Sequence, residues 1–293
     1  PSRMAEVLNR VIEKAFRGSA PAQINVPRDY WTQVIDIELP PIVRFERQGG
    51  GKEAIENAAK LLSKAKFPVI LSGAGVVLGG AIDECKKLAE KLDAPVCNGY
   101  QHNDSFPGSH PLAVGPLGYN GSKAAMELIS KADVVLALGT RLNPFSTLPG
   151  YGIDYWPKKA TIIQVDMNPD RIGLTKKVSV GICGDAKQVA QQILDKLSSD
   201  AGNTGREERK NLIHKTKSAW LQTLSGLDHE EDDPGTVWNK EARERDKDRM
   251  SPRQAWRAIQ DALPQDAIIS SDIGNNCAIG NAYPTFEKPR KYL

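Results

Sequence analysis

The chain has 293 residues, 40% of them hydrophobic, which is enough for about two domains with apolar cores. Its formal net charge is only +3, and its Lys and Arg residues alternate with Asp and Glu, which excludes a typical nucleic-acid-binding surface. No apolar run approaches the roughly 18 residues of a membrane span, which excludes the membrane-spanning class.

The four cysteines indicate a reducing compartment. Cys85, Cys97, Cys183 and Cys277 are widely spaced and form no Cys-x-x-Cys pair. Their number is too low for a disulfide-stabilised secreted fold, and nothing in the sequence resembles a signal peptide. We therefore expect a cytoplasmic protein whose partners are small molecules and further copies of the chain, with no nucleic acid and no membrane.

The first part of the chain has the pattern of a domain end followed by a linker. Apolar residues at helical spacing predict an amphipathic helix over residues 2–17, and residues 22–26 predict a short strand. Residues 32–51 contain a Pro-Pro pair and three consecutive glycines, which are turn and linker signals. We place the domain end at residues 1–31, and we expect the chain to be part of a longer polypeptide.

A regular alternation of helix and strand patterns begins at residue 52. Its short apolar runs, rich in β-branched residues, are typical of parallel strands buried on both faces. This predicts an α/β fold with a doubly wound parallel sheet over residues 52–200. The predicted strands are 68–72, 94–97, 133–138, 161–166 and 178–182, and the predicted helices are 53–65, 81–92, 122–131 and 186–197.

Several residues with binding chemistry directly follow these strands. They are Gly139, Arg141, Asp166, Gly184 and Asp185. Because ligands of open parallel sheets bind beyond the carboxyl ends of the strands, we expect these residues to meet at one edge. The arginine there can bind a phosphate or carboxylate with a forked pair of hydrogen bonds, or it can form a structural ion pair with a helix.

Two loops leave alternatives open. Residues 73–75, Gly-Ala-Gly, lie between a strand and a helix, where backbone amides can cradle a phosphate; they equally fit a tight strand-to-helix turn. The loop over residues 98–121 is longer than most connections, which favours a functional role. Its His102, Asp104 and His110 match no common metal-ligand spacing, so we expect them to stabilise turns, with metal binding as the alternative.

The composition becomes polar after residue 200. Residues 206–224 predict a helix with a few apolar positions for packing, and residues 228–233 form an acidic run. Acidic runs of this kind are usually solvated surface. We therefore assign residues 201–250 to a linker that contains its own helix.

The last part of the chain has the pattern of a new domain. Residues 251–293 open with Ser-Pro, a typical helix start, and a predicted strand over residues 267–271 leads into Asp272-Ile-Gly-Asn-Asn-Cys. A glycine and two amide residues at a strand end can present N–H groups to an anion. Taken alone, the same pattern equally fits a helix cap.

The order of these fragments resembles the thiamine-diphosphate enzymes of the acetohydroxyacid synthase type. The resemblance is carried by residues 21–29, 132–141, 163–170, 184–186 and 269–276. It extends over nearly the whole chain. It implies that residues 1–31 end a pyrimidine-binding domain, that residues 52–200 are the central α/β domain, and that residues 251–293 begin a diphosphate-binding domain.

The resemblance also implies a cofactor site. It assigns Gly274, Asn275 and Asn276 to contacts with the diphosphate of thiamine diphosphate. It implies that the glutamate that activates the cofactor lies upstream of Pro1, and that the segment with the Mg²⁺ ligands lies downstream of Leu293. No catalytic residue and no metal ligand is therefore assigned within the chain.

Further residues point to one particular activity within this family. Residues 96–103, residues 143–150 and the acidic run near Asp228 resemble an acyltransferase of the family more than its synthases. The resemblance implies conversion of sulfoacetaldehyde and phosphate to acetyl phosphate and sulfite, in the catabolism of taurine and other sulfonates, by a homodimer or homotetramer. Alternatives are an acetohydroxyacid synthase or 2-keto acid decarboxylase of the same cofactor family, and a non-catalytic nucleotide-binding module.

A bound flavin is not expected, although the synthases of this family carry one. The implied reaction is redox neutral, so a flavin has no chemical role in it. Residues 117–121 and Arg141 match the flavin site of the synthases, but residues 142–144, Leu-Asn-Pro, replace the acidic residues expected after the arginine.

Overall fold

The computed structural model describes residues 1–18, 20–41, 46–228 and 250–293. The chain divides into two compact units, Pro1–Arg47 and Gln48–Leu293. The acidic run predicted at residues 228–233 lies, after its first residue, outside the described residues.

The smaller unit contains the helix α1 (Met4–Gly18). Helices and strands alternate along the larger unit. Its helices are α2 (Lys52–Lys64), α3 (Ala74–Gly79), α4 (Ile82–Leu92), α5 (Lys123–Ile129), α6 (Ala186–Lys196), α7 (Arg206–Asp228), α8 (Pro252–Ala262) and α9 (Asn275–Ala282). The strands are β1 (Pro68–Ser72), β2 (Val96–Asn98), β3 (Ala113–Pro116), β4 (Val134–Leu138), β5 (Thr161–Asp166) and β6 (Val180–Cys183). None of the described helices is long and apolar enough to cross a bilayer.

The six strands form one parallel sheet in the order β3-β2-β1-β4-β5-β6. In its centre, Pro68 of β1 pairs with Val134 of β4, which in turn pairs with Thr161 of β5. The chain order reverses between β1 and β4, and in doubly wound folds ligands bind beyond the strand ends at this switch point. The predicted α/β fold with a doubly wound parallel sheet is confirmed.

Helices cover both faces of the sheet. Ile70 of β1 belongs to a core cluster with α2, α4 and α6, whereas its neighbours Val69 and Leu71 belong to a second cluster with α5 and with Ile213 of α7. Every residue of β1 and β4 is buried. Burial on both faces explains why these strands are continuous apolar runs without a polar alternation.

A buried arginine fixes α7 to this domain. Arg209 is 1% exposed, and its guanidinium donates five hydrogen bonds of 2.5–3.0 Å to backbone carbonyls. The acceptors are the carbonyls of Lys66, Leu92, Asp93, Gly202 and Thr204. All five N–H groups of the side chain are therefore used. They anchor the described part of α7 to the segments that precede β1 and β2 and to the segment that leads into α7 itself.

The structure corrects four sequence predictions. Residues 22–26 form no strand, because the described residues of the smaller unit offer no strand to pair with. The predicted strand 267–271 contains only one bridge, from Ile269 to Tyr292, because only the last few residues run beside it.

The strand β3 lies inside the predicted loop, where its Gly-Pro ending resembles a turn. The short helix α3 was missed because glycines and β-branched residues are weak helix formers.

Candidate functional site

The residues predicted to contact a diphosphate lie at the start of α9. Gly274 precedes the helix with φ +123° and ψ −160°, a conformation that residues with a side chain rarely adopt. A Cβ built on this residue would meet no atom within 4 Å. The backbone conformation, and not crowding, therefore requires a glycine at this position.

The start of α9 offers hydrogen-bond donors that have no acceptor among the described residues. No side chain caps this helix, and the first N–H groups of a helix have no intrahelical partner. Asn275 and Asn276 are exposed, and their side chains bond to no other described residue. The alternative in which these asparagines cap the helix is therefore not observed. Backbone N–H groups with two amide donors suit a diphosphate, so these residues fit the group.

The long loop after β2 contacts the end of the chain. The Asp104 carboxylate accepts a 3.0 Å hydrogen bond from Lys291 N. The Glu287 carboxylate accepts hydrogen bonds from the backbone N and the hydroxyl of Ser109, at 2.8 and 2.7 Å. The loop therefore packs against the segment that contains α9 and is hydrogen-bonded to it.

The same loop reaches the first turn of α9 through two side chains. The Tyr100 hydroxyl lies 3.1 Å from Cys277 Sγ, and Gln101 Nε2 lies 2.6 Å from the same sulfur. Burial, followed by the neighbouring Cys277, raises the pKa of Tyr100. The tyrosine is therefore neutral at physiological pH and can serve as a hydrogen-bond donor.

Two of the three polar loop residues, Asp104 and His110, have structural partners. His110 Nε2 lies 3.2 Å from Glu90 Oε1, and Asp104 binds the backbone of the final segment. Burial lowers the pKa of His102; Asp104 opposes this shift and Arg141 adds to it. Within the described ranges, no group of three or more His, Cys, Asp or Glu residues is placed to hold a metal ion.

The glycine turn after β1 closes on the end of β4. Gly73 N donates to Leu138 O at 3.1 Å, and Gly75 N donates to Gly139 O at 2.8 Å. A Cβ on Gly75 would lie 2.6 Å from the Gly139 Cα, so the two backbones are in contact. These amides are not available to a phosphate, and the structure supports the tight-turn interpretation of residues 73–75.

Arg141 is the residue at this edge that keeps a free functional group. It is exposed, and its guanidinium forms no hydrogen bond or ion pair with other described residues, so the predicted structural ion pair is not observed. Asp166 accepts from Asn168 N at 2.8 Å, and Gly184 N donates to Asp166 O at 3.0 Å. Asp185 is buried and caps α6. The glycine turn thus contacts Gly139 and Thr140, which directly precede Arg141, whereas both carboxylates serve the backbone.

Sequence reasoning missed the residues that hold α9 in place. Asn281 is fully buried, and it bonds to Gln101 and Asn103, which lie far away in the sequence. A buried asparagine between glycine and alanine gives no periodic or motif signal. Only the three-dimensional pairing identifies it.

Comparison with known proteins identifies a family match and several relatives of this chain. The family described as thiamine pyrophosphate enzyme, central domain, matches residues 55–193, and thiamine pyrophosphate is another name for thiamine diphosphate. A probable sulfoacetaldehyde acetyltransferase of Rhizobium meliloti is 78% identical over 293 residues, which are 100% of this chain and 50% of that protein. A sulfoacetaldehyde acetyltransferase of Roseovarius nubinhibens is 76% identical over 293 residues, 100% of this chain and 49% of that protein.

A more distant relative has a different name. A probable acetolactate synthase large subunit of Methanocaldococcus jannaschii is 34% identical over 235 residues, 78% of this chain and 37% of that protein. The chain spans about half the length of the curated acetyltransferases it matches. Residues 55–193 therefore match the thiamine pyrophosphate enzyme central domain, within a sequence that is similar along its whole length to sulfoacetaldehyde acetyltransferases.

Proposed function

We propose that the complete protein is a thiamine-diphosphate-dependent acetyltransferase that converts sulfoacetaldehyde and phosphate to acetyl phosphate and sulfite. The observation that carries this proposal is the identity of 78% and 76% to proteins of that name over the whole chain. Identity to the acetolactate synthase of Methanocaldococcus jannaschii is less than half as high. The proposal places the protein in the catabolism of taurine and other sulfonates.

The residues at the start of α9 have a defined role in this proposal. Gly274 lets the backbone approach the diphosphate of the cofactor, and Asn275 and Asn276 donate hydrogen bonds to it. When bound, thiamine diphosphate supplies an electron sink for the reaction, while the protein orients the substrates and excludes water. Magnesium is proposed as the counter-ion of the diphosphate, and the proposal assigns none of its ligands to the described residues.

A product assay on the complete protein tests the proposal. With sulfoacetaldehyde, phosphate, thiamine diphosphate and Mg²⁺, we expect sulfite and acetyl phosphate to appear in equal amounts. With pyruvate as the only substrate, we expect no release of CO₂. The opposite pattern would identify a synthase or decarboxylase. Tight binding of ADP without turnover of either substrate would identify a nucleotide-binding module.

Two further properties belong to the proposal. We expect no bound flavin, because the reaction is redox neutral, and a stoichiometric yellow chromophore in the purified complete protein would contradict this. We also expect at least a homodimer, because in the family that the sequence resembles the cofactor lies between domains of two subunits. A fully active monomer in solution would exclude it.

We propose a cytoplasmic location as well. The support for it is that all four cysteines of the chain are free thiols. Persistent free thiols are typical of reducing compartments. Fractionation of cells that express the complete protein would test this location, and recovery with the periplasmic or secreted fraction would contradict it.

A further inference from the structure

One buried asparagine joins α9 to the central domain by three hydrogen bonds. Asn281 is 0% exposed. Its Oδ1 accepts from Gln101 N at 2.8 Å, and its Nδ2 donates to Tyr119 O at 3.1 Å. Its backbone carbonyl accepts from Asn103 Nδ2 at 2.9 Å. Both the side chain and the backbone of this residue are thus held, by Gln101 and Asn103 of the loop after β2 and by Tyr119 beyond β3.

The loop holds α9 from its first turn to the residues beyond its end. Asn103 Nδ2 also donates to Pro284 O at 2.9 Å, two residues after the helix ends. At the other end, Tyr100 and Gln101 contact Cys277. Residues 100–103, together with Tyr119, therefore form a brace along the whole helix.

The helix α9 depends on this brace for its orientation. It has only eight residues, from Asn275 to Ala282, and helices of this length are not stable without tertiary contacts. The segment before it forms a single β-bridge, so no regular strand fixes its start. The direction in which its first N–H groups point is therefore set largely by the brace.

We propose that Asn281, Gln101 and Asn103 are positioning residues for the diphosphate-binding turn at residues 274–276. The inference rests on the proposed function, in which this turn binds the cofactor. It adds that the loop after β2 controls cofactor affinity by holding this turn in place. Hydrogen-bond donors bind an anion best when they are held in place before it arrives, and the brace supplies this preorganisation.

The test is a calorimetric titration of the cofactor-free complete protein with thiamine diphosphate and Mg²⁺. In Asn281→Ala, which loses both side-chain hydrogen bonds, we expect the Kd to rise roughly 5-fold or more. The KM for the cofactor should rise with it, while kcat at saturating cofactor stays near the wild-type value. This split is expected of a positioning residue, because chemistry proceeds normally once the cofactor is bound.

Gln164→Ala is the matched control. Gln164 is also a buried amide with three hydrogen bonds, to Thr140 O, Arg171 O and Gly173 N, and it has no contact with α9. We expect this variant to lower the melting temperature without changing the Kd. A similar rise in Kd for Gln164→Ala would mean that general destabilisation explains the effect, and would overturn the inference.

A milder variant keeps the test decisive if Asn281→Ala does not fold. Gln101→Gly retains the backbone N–H that binds Asn281 and suits the φ of +61° at this position, but loses the contact with Cys277. We expect it to fold and to raise the Kd by a smaller factor. Normal cofactor binding by the wild type, with an unchanged Kd in every one of the two variants that folds, would overturn the inference alone. Failure of the wild type to bind thiamine diphosphate would overturn the proposed function, and the inference with it.

Discussion

Replacing Arg209 by methionine should strongly destabilise the central domain. The change removes five hydrogen bonds between a charged donor and backbone carbonyls. At about 1.5–3 kcal/mol each, their sum of roughly 8–15 kcal/mol is an upper bound, because burying the guanidinium itself costs several kcal/mol. We therefore expect a net loss of about 3–5 kcal/mol in the free energy of unfolding, because methionine leaves five buried carbonyls without a donor, each at a cost of about 1–3 kcal/mol where water does not replace it. The free energy of unfolding of Arg209→Lys should lie between those of the wild type and of Arg209→Met, since an ammonium group has three donors for five acceptors.

Urea titration of the complete protein measures this loss, and hydrogen exchange of α7 locates it. Lys210→Met on the same helix is the control, because Lys210 is half exposed and its ion pairs, at 4.0 Å, lie at the surface. Such pairs contribute about 0–1 kcal/mol. If the two methionine variants unfolded at the same urea concentration, with equal exchange in α7, the role assigned to Arg209 would be refuted.

Three other predictions concern single residues. Gly274→Val should lower the affinity for thiamine diphosphate about tenfold or more, because φ +123° is strained for valine; calorimetry checks this, and equal affinity would contradict it. Burial lowers the pKa of His102, so the unfolded chain takes up the proton first as the pH falls through about 6.5, and folding stability declines there. His102→Gln should flatten the dependence of the urea midpoint on pH over this range, and an unaltered dependence would count against the assignment. Burial raises the pKa of Cys85 to about 12 and raises that of Cys97 as well, so peptide mass spectrometry after alkylation should find both unmodified until denaturant is added.

The central fold could be predicted because its signals are local. The strand at Pro68–Ser72 and the helix start at Asp185 follow from short apolar runs, caps and glycine turns within a few neighbouring residues. Where these local signals were weak or misleading, the prediction failed. The strand β3 ends in Gly-Pro, and it exists because β2 lies beside it in the fold.

The candidate site was predictable only in part. The glycine and two asparagines at the start of α9 could be singled out because they resemble a known motif, and their role as a site stays a prediction. The brace was not found, because the contact between Gln101 and Asn281 joins residues 180 positions apart. A hydrogen bond of this kind depends on where the folded chain places two loops, and nothing near either residue in the sequence specifies it.

The sheet order also determines when the domain can be completed during synthesis. The strand β1 pairs with β2 on one side and with β4 on the other. Since β4 follows β1 by roughly 60 residues, a ribosome working at about 5–20 residues per second leaves that second edge of β1 open for several seconds. An unpaired apolar strand edge is a template for association with other chains. The nascent chain is therefore most exposed to aggregation before residues 134–138 leave the ribosome, and any change that delays their arrival should lower the yield of soluble protein.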